Sequence, residues 1–265
     1  MIRSLFSGVS GLRNHQVRMD VIANNIANVN TTGYKTSRTN FQDILAQTVG
    51  GTAINATQIG LGMSVGIIDN VHIQGALQGT GRTLDMAIEG NGFFVVRPVD
   101  STGTTVDDPM YTRDGTFYID KDGYLVTAQG YRVSDSTDAD IQFTDPDQIV
   151  SIDITTTGTI TATDAAGGTQ TFTIGLAMVN NVESLQRRGN NLWDVTQMTL
   201  PDPPVVEAPG VNGRGIVRSG YLEMSNVDLA LEFTTMIITQ RGYQANARVV
   251  TTSDEMLREL IDLKR

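Results

Sequence analysis

Residues 226–263, NVDLALEFTTMIITQRGYQANARVVTTSDEMLRELIDL, decide the helical part of the fold. Apolar side chains recur in this stretch at alternating spacings of three and four residues, which is the period of a coiled-coil seam. The apolar members of the row are Leu229, Phe233, Met236, Tyr243, Val250, Leu257 and Ile261. The pattern predicts one long helix over about residues 226–263, with Gly242 as its weakest point. Ser225 and Asp228 predict a capping box at its start, with Asn226 as an alternative N-cap.

The beginning of the chain repeats the same spacing. The apolar row there consists of Ile2, Leu5, Val9, Leu12, Met19 and Ile26. Gly8 and Gly11 lie inside this segment, and each lowers helix propensity by roughly 1 kcal/mol relative to alanine. A second helix is therefore predicted, and packing must supply most of its stability.

Between the ends the pattern changes to short apolar runs separated by turn residues. The runs are 84–88, 93–96, 116–119, 124–128 and 131–133, and the turns include 89–92, Asp114-Gly115 and Asp122-Gly123. Asp-Gly between alternating residues is a strong hairpin signal, and a further β-rich run covers residues 149–179. The expected class is α+β, with a mainly antiparallel β central domain and long terminal helices paired in a coiled-coil-like domain.

Three parts are expected from these patterns. Residues 1–33 and 221–265 form a discontinuous helical domain, 34–81 a connecting segment and 82–220 a β-rich outer domain. The stretch 50–81 holds eight glycines and predicts an adjustable connector or an ordinary surface loop. Of the net charge of -10, the middle residues 42–225 carry -13, because they hold nine basic and 22 acidic side chains.

Composition excludes several function classes. The chain has no cysteine, so a thiol nucleophile and a disulfide framework are excluded. Its acidity argues against nucleic acid and anionic membranes as partners. Its longest apolar runs are four or five residues, whereas a membrane helix needs about 20. The first residues lack the apolar region of a cleaved signal peptide.

No catalytic, cofactor-binding or metal-binding residue is predicted. The two histidines, His15 and His72, are not in a metal-ligating arrangement. Residues 120–123 read as a hairpin turn rather than a calcium loop. Gly60, Gly62 and Gly66 lack the spacing of a phosphate-binding loop. A pair of carboxylates could still mimic a glycosidase site, and the sequence cannot select one.

Three stretches carry a resemblance to a known family. Residues 24–35, NNIANVNTTGYK, resemble the N-terminal signature of the bacterial flagellar rod and hook proteins. Residues 219–229, SGYLEMSNVDL, and 240–246, QRGYQAN, are similar to its C-terminal signature. The motif residues taken from this resemblance are Asn24, Asn25, Asn28, Thr32, Gly33, Ser225, Asn226, Asp228, Gln240 and Arg241.

The resemblance implies a structural subunit of the flagellar axial structure and no enzyme activity. It implies a homopolymer in which terminal helices line a tube, with the rod, hook-filament junction and hook cap proteins as neighbours. It also implies export by the flagellar type III apparatus without a cleaved signal, and neither a cofactor nor membrane insertion.

Residues 228–233 and 260–265 look more like those of hook proteins, so a short hook protein is expected, with the distal rod protein as the alternative. A secreted acidic glycosidase and a β-binding module are remote alternatives.

Overall fold

The computed structural model describes residues 2–52, 55–100, 104–106, 108–165, 167–195 and 204–263. The chain divides into two compact units. Unit 1 is formed by residues 1–29, 36–71 and 227–265, and unit 2 by residues 30–35 and 72–226. Within the described ranges there are two α-helices, and every strand pair is antiparallel. The predicted α+β class is confirmed.

Both predicted helices belong to unit 1. Helix α1 spans Ile2–Ala27 and helix α2 spans Leu229–Asp262. The N-cap of α2 is Asp228, whose carboxylate accepts hydrogen bonds from the backbone amides of Ala230 and Leu231 at 2.9 and 3.3 Å. The predicted N-caps Ser225 and Asn226 were wrong, because Asp228 is the extended residue whose side chain satisfies the first free amides of the helix.

The rest of unit 1 is β structure. Strand β1 (Ser37–Asp43) pairs with β4 (Met63–Asn70), and β2 (Ala46–Thr52) pairs with β3 (Asn55–Gly60). The side chain of Asn14 joins α1 to this β structure by donating to the backbone oxygen of Met63 at 2.6 Å. Much of the glycine-rich stretch predicted as a connector is therefore formed by strands.

Unit 2 contains the remaining strands. Its strands are β5 (Leu77–Gly79), β6 (Met86–Glu89), β7 (Phe93–Arg97), β8 (Met110–Thr112), β9 (Phe117–Ile119), β10 (Leu125–Thr127), β11 (Arg132–Val133), β12 (Ile149–Ile154), β13 (Thr159–Asp164), β14 (Thr169–Thr173), β15 (Leu176–Ala177), β16 (Leu185–Gly189), β17 (Leu192–Val195), β18 (Val206–Glu207), β19 (Ile216–Ser219) and β20 (Tyr221–Glu223). The largest sheet has the order β16-β17-β8-β7-β11-β10-β9, and β15 pairs with both β7 and β18. Smaller sheets are β12-β13-β14, β6-β19 and β5-β20.

Strand β7 lies at the centre of the core of unit 2. Phe94 and Val96 pack into one hydrophobic cluster, and Phe93 and Val95 pack into another. Successive side chains of a strand point to opposite faces, so both faces of β7 are buried. This explains why its sequence is a continuous apolar run rather than an alternating one.

The hairpin turn predicted at residues 120–123 is confirmed. The amide of Gly123 donates to the backbone oxygen of Asp120 at 2.9 Å, and β9 pairs with β10 on either side of the turn. Gly123 has a φ of +82°, a conformation that glycine adopts without steric cost. Its Cα also lies against the backbone of Phe143, where an added methyl carbon would be 2.1 Å from the carbonyl oxygen.

Substituting Gly123 tests this close contact. We expect Gly123→Ala to lower the free energy of unfolding by clearly more than Gly130→Ala, as measured by urea denaturation. Gly130 is a matched control because its φ is +86° and a methyl group there would meet nothing within 4 Å. The control alone should lose about 1–2 kcal/mol from the left-handed backbone. Equal losses at the two positions would show that the contact with Phe143 is unimportant.

Candidate functional site

The two helices of unit 1 pack antiparallel along a regular row of contacts. Ser4 Oγ lies 3.3 Å from Ser253 Oγ near one end, and Asn25 Nδ2 donates to Glu232 Oε1 at 3.0 Å near the other. Between them, Gly8 faces Val250, Gly11 faces Asn246 and His15 faces Gly242. The α1 members of this row at positions 4, 8, 11 and 15 follow the alternating spacing of four and three, and position 25 lies ten residues further along in the same register.

Small residues let the two helix backbones approach closely. A methyl carbon at Gly11 would be 2.5 Å from Asn246 Nδ2, and one at Gly242 would be 2.8 Å from His15 Nε2. The glycines that weaken the isolated helices are thus the positions at which the partner helix fits. Packing in the folded unit offsets their low helix propensity.

Several residues along this row of contacts are polar, in addition to the small ones. Asn25 is buried, and its side chain donates to the Ser37 oxygen, accepts from the Ser37 amide and donates to Glu232. Thr239 is fully buried and donates to the backbone oxygen of Thr235. Burial, followed by the nearby charge of Arg18, lowers the pKa of His15. Hydrogen bonding within the unit removes most of the cost of burying these polar groups.

Several predicted seam residues, such as Leu12 beside Gly11 and Tyr243 beside Gly242, lie one position C-terminal to a member of this row, whereas Val250 belongs to the row and faces Gly8. Half-buried members are Leu5, Leu12, Met19, Ile26, Met236, Val250 and Leu257. Exposed members are Val9, Leu229, Phe233, Tyr243 and Ile261. Ile2 begins α1, and its side chain lies outside the described part of the chain. The role of these residues in assembly stays a prediction.

Helix α2 exposes large apolar side chains on both sides of the contact row. One flank carries Leu231, Ile238, Val249, Met256 and Leu260, and the other carries the exposed seam residues of α2, which are Leu229, Phe233, Tyr243 and Ile261. Ile238 is 61% exposed and Phe233 is 49% exposed. Large apolar side chains that are exposed together along one helix, rather than scattered singly, mark an interaction site in soluble proteins. A chain that used α2 only to pack against α1 would not need either flank.

The residues of the family motif support local structure. In unit 1, Asn28 Nδ2 donates to the backbone oxygen and to the side-chain oxygen of Asn24, and Asp228 caps α2. Arg241 Nη1 donates to Gln244 Oε1, and its neighbour Gln240 is exposed. In unit 2, the amide of Gly33 donates to the backbone oxygen of Glu223 at 2.7 Å, and the backbone oxygen of Thr32 accepts from Asn191 Nδ2. Asn226 Nδ2 donates to the backbone oxygen of Ile73, and the neighbouring Ser225 is half-buried. These residues fix the ends of the helices or the chain segments that precede or follow them in sequence.

A buried ion cluster in unit 2 was missed by the sequence reasoning. Glu223 accepts from Lys35 Nζ at 2.5 Å and from Arg113 Nη1 at 3.2 Å, and all three side chains are almost completely buried. Glu223 Oε1 also accepts from the Gly75 amide at 2.9 Å. Burial lowers the pKa of Lys35, and the neighbouring Glu223 carboxylate opposes that shift. Lys35 and Glu223 stood inside the motif stretches, but nothing in the sequence indicated that they are buried.

Among the described residues, no group of three or more histidine, aspartate or glutamate side chains is placed to hold a metal ion. No helix among those residues is long and apolar enough to cross a membrane.

Comparison with known proteins identifies the family. A sequence model described as "Flagella basal body rod protein" matches residues 5–35, and "Flagellar hook protein FlgE/F/G D1 domain" matches residues 87–162. "Flagellar basal body rod FlgEFG protein C-terminal" matches residues 218–263. The first helix, part of the β unit and the second helix match these models in sequence order, so the chain is a flagellar axial structural protein. It belongs to the flagellar rod and hook protein family, as the sequence resemblance predicted.

Whole-length relatives favour the rod within this family. The chain is 46% identical over 274 residues to the flagellar basal-body rod protein FlgG of Bacillus subtilis (strain 168), covering 100% of both chains. It is 39% identical to the FlgG protein of Agrobacterium fabrum, covering 96% of this chain and 97% of the relative. The flagellar hook protein FlgE of Borreliella burgdorferi is 28% identical over an alignment of 448 residues. These values support the distal rod alternative better than the preferred hook interpretation.

The close helix contact can be tested by filling it. We expect Gly11→Leu to lower the thermal unfolding midpoint of the helices, followed by far-ultraviolet circular dichroism, because the new side chain cannot share space with Asn246. Ala23→Leu is the control, since it adds leucine to an exposed position of the same helix. That control should change the free energy of unfolding by no more than about 0.5 kcal/mol. A Gly11→Leu chain as stable as the control would argue against the contact.

The ion cluster can be tested by removing its carboxylate charge. We expect Glu223→Gln to lower the free energy of unfolding by about 3–5 kcal/mol, because two buried cations lose their counter-charge. Glu89→Gln is the control, because Glu89 forms a half-exposed ion pair with Arg218 that contributes at most about 1 kcal/mol. Chemical denaturation measures both changes. If the two variants lost similar stability, the buried pair would not be a major stabilising contact.

Proposed function

We propose that this chain is a structural subunit of the distal flagellar rod and polymerises with further copies of itself into a tube. The observation that carries the assembly is the exposed apolar surface on both flanks of α2. Covering that surface removes apolar area from water at roughly 25 cal/mol per Å². Contacts between unlike surfaces of identical subunits generate an open helical assembly when the rotation between neighbours does not close a ring.

Assignment to the rod rests on the relatives. The FlgG protein of Bacillus subtilis, named as a basal-body rod protein, aligns with this chain from end to end. The hook is the second candidate, because a hook protein also aligns over the whole chain, at lower identity. Both candidates share the same terminal helices, so assembly through α2 does not distinguish them.

The proposal includes finer features that the resemblance implies. The alternating contact spacing supports a coiled-coil-like pairing of α1 and α2. Residues 1–33 and 221–265 would form the helical domain on the inside of the tube, 34–81 the connecting segment and 82–220 the outer β domain. Neighbouring axial proteins would be partners at the ends of the polymer. Export by the flagellar type III apparatus without a cleaved signal, and the absence of catalysis and cofactors, remain predictions.

A charge on an exposed flank tests the assembly surface. We expect Ile238→Asp and Phe233→Asp to abolish tubes in electron micrographs of concentrated protein while leaving the circular dichroism spectrum unchanged, since both side chains are exposed in the single chain. Gln244→Asp is the matched control, because it adds the same charge at an exposed polar position of α2. Normal tubes from both flank variants would refute the assignment of α2 as the assembly surface. Antibody labelling of isolated hook-basal bodies then distinguishes rod from hook by the position of the label.

A further inference from the structure

A cavity of about 230 Å³ lies inside unit 2 beside the buried ion cluster. Its polar lining residues include Lys35, His72, Asn91, Arg113 and Asn180, and Phe93 forms part of its apolar wall. This volume is several times the roughly 30 Å³ that one water molecule occupies in the liquid. The cavity can therefore hold a small molecule rather than a single water.

Positive charge exceeds negative charge around this cavity. Lys35 and Arg113 share one carboxylate, that of Glu223, in the ion pairs of the described residues. Arg187, an exposed residue, donates to the backbone oxygen of Lys35 and adds a solvent-screened positive charge nearby. Both oxygens of Glu223 already accept hydrogen bonds. Buried charge without a counter-charge is unfavourable by several kcal/mol, so the cluster lacks an anion.

Unpartnered hydrogen-bonding groups belong to two residues that line the same cavity. Arg113 Nε and both ring nitrogens of His72 are buried, and they have no hydrogen-bond partner among the described residues. The great majority of buried polar atoms in proteins have a hydrogen-bond partner, so a group of unpaired ones points to a missing ligand. Burial, and then the charges of Lys35, Arg187 and Arg113, lower the pKa of His72 to about 4. The neutral imidazole still offers one N–H donor.

We propose that this cavity binds one small oxyanion, of the carboxylate or phosphate class. An oxyanion supplies the missing negative charge and presents several acceptors to the arginine, the lysine and the imidazole together. A cation is disfavoured by the excess positive charge. An uncharged molecule would leave the same charge imbalance in place.

Two sources can supply this chemistry. One is a free ion such as inorganic phosphate. The other is an acidic side chain of a second copy, since residues 42–225 of each copy carry 22 carboxylates. The second source rests on the proposed assembly, whereas the site itself does not.

Calorimetric titration of the unassembled full chain tests the site. We expect inorganic phosphate and acetate at pH 7 to give saturable binding to one site, and chloride at matched ionic strength to give none. Both oxyanions should also raise the thermal unfolding midpoint, because a ligand of the folded state stabilises it. We expect His72→Phe to weaken phosphate binding about tenfold through the loss of one charge-assisted donor. Arg188→Gln, which removes a half-exposed arginine paired with Asp108, should bind as the parent does.

Several results would overturn the site. These are the absence of saturable phosphate binding, stabilisation by phosphate no greater than by chloride, and equal affinity in His72→Phe and the parent. The comparison of phosphate with chloride on the parent chain decides the matter even if the variant fails to fold. These measurements use unassembled protein, so their failure leaves the proposed assembly intact.

Repeating the titration on assembled tubes identifies the source. Loss of phosphate binding in tubes assigns the site to a carboxylate of a second copy. Unchanged binding in tubes assigns it to a free ion.

Discussion

The carboxylate of Glu223 is the contact on which the arrangement of unit 2 depends. It holds Lys35, from the segment that follows α1, and Arg113, from the segment after β8. It also accepts from the amide of Gly75, near the point where the chain enters unit 2 again. Three stretches distant in sequence are therefore fixed by one side chain. Because Glu223 is buried, its hydrogen bonds are not weakened by competition with water.

Much of the fold could be predicted, because regular elements leave periodic signals. The alternating spacing in the terminal segments predicted α1 and α2, and the Asp-Gly pair at residues 122–123 predicted the β9–β10 hairpin. The N-cap of α2 was assigned three residues too early, because Ser225, Asn226 and Asp228 all have capping side chains and propensity alone does not choose among them. Backbone geometry makes that choice.

The candidate sites were less predictable. The apolar pattern did not indicate that glycines form the helix contact. Helices α1 and α2 meet through Gly8, Gly11 and Gly242, whose small size matters more than hydrophobicity in a close contact. The buried ion cluster had no sequence signal, since Lys35 and Glu223 are 188 residues apart and either could have been exposed. Burial of a charge depends on the tertiary structure around it.

The distance along the chain between the two helices has a consequence for synthesis. Asn25 and Glu232, which hydrogen-bond across the pair, are separated by 207 residues. At about 5–20 residues per second, a ribosome needs on the order of 10–40 s to reach Glu232 of α2 after it has added Asn25 of α1. During that interval α1 is a glycine-containing segment without the neighbour that stabilises it. The nearly contiguous unit 2 can begin to fold first, and the helical unit is completed only after α2 has been synthesised.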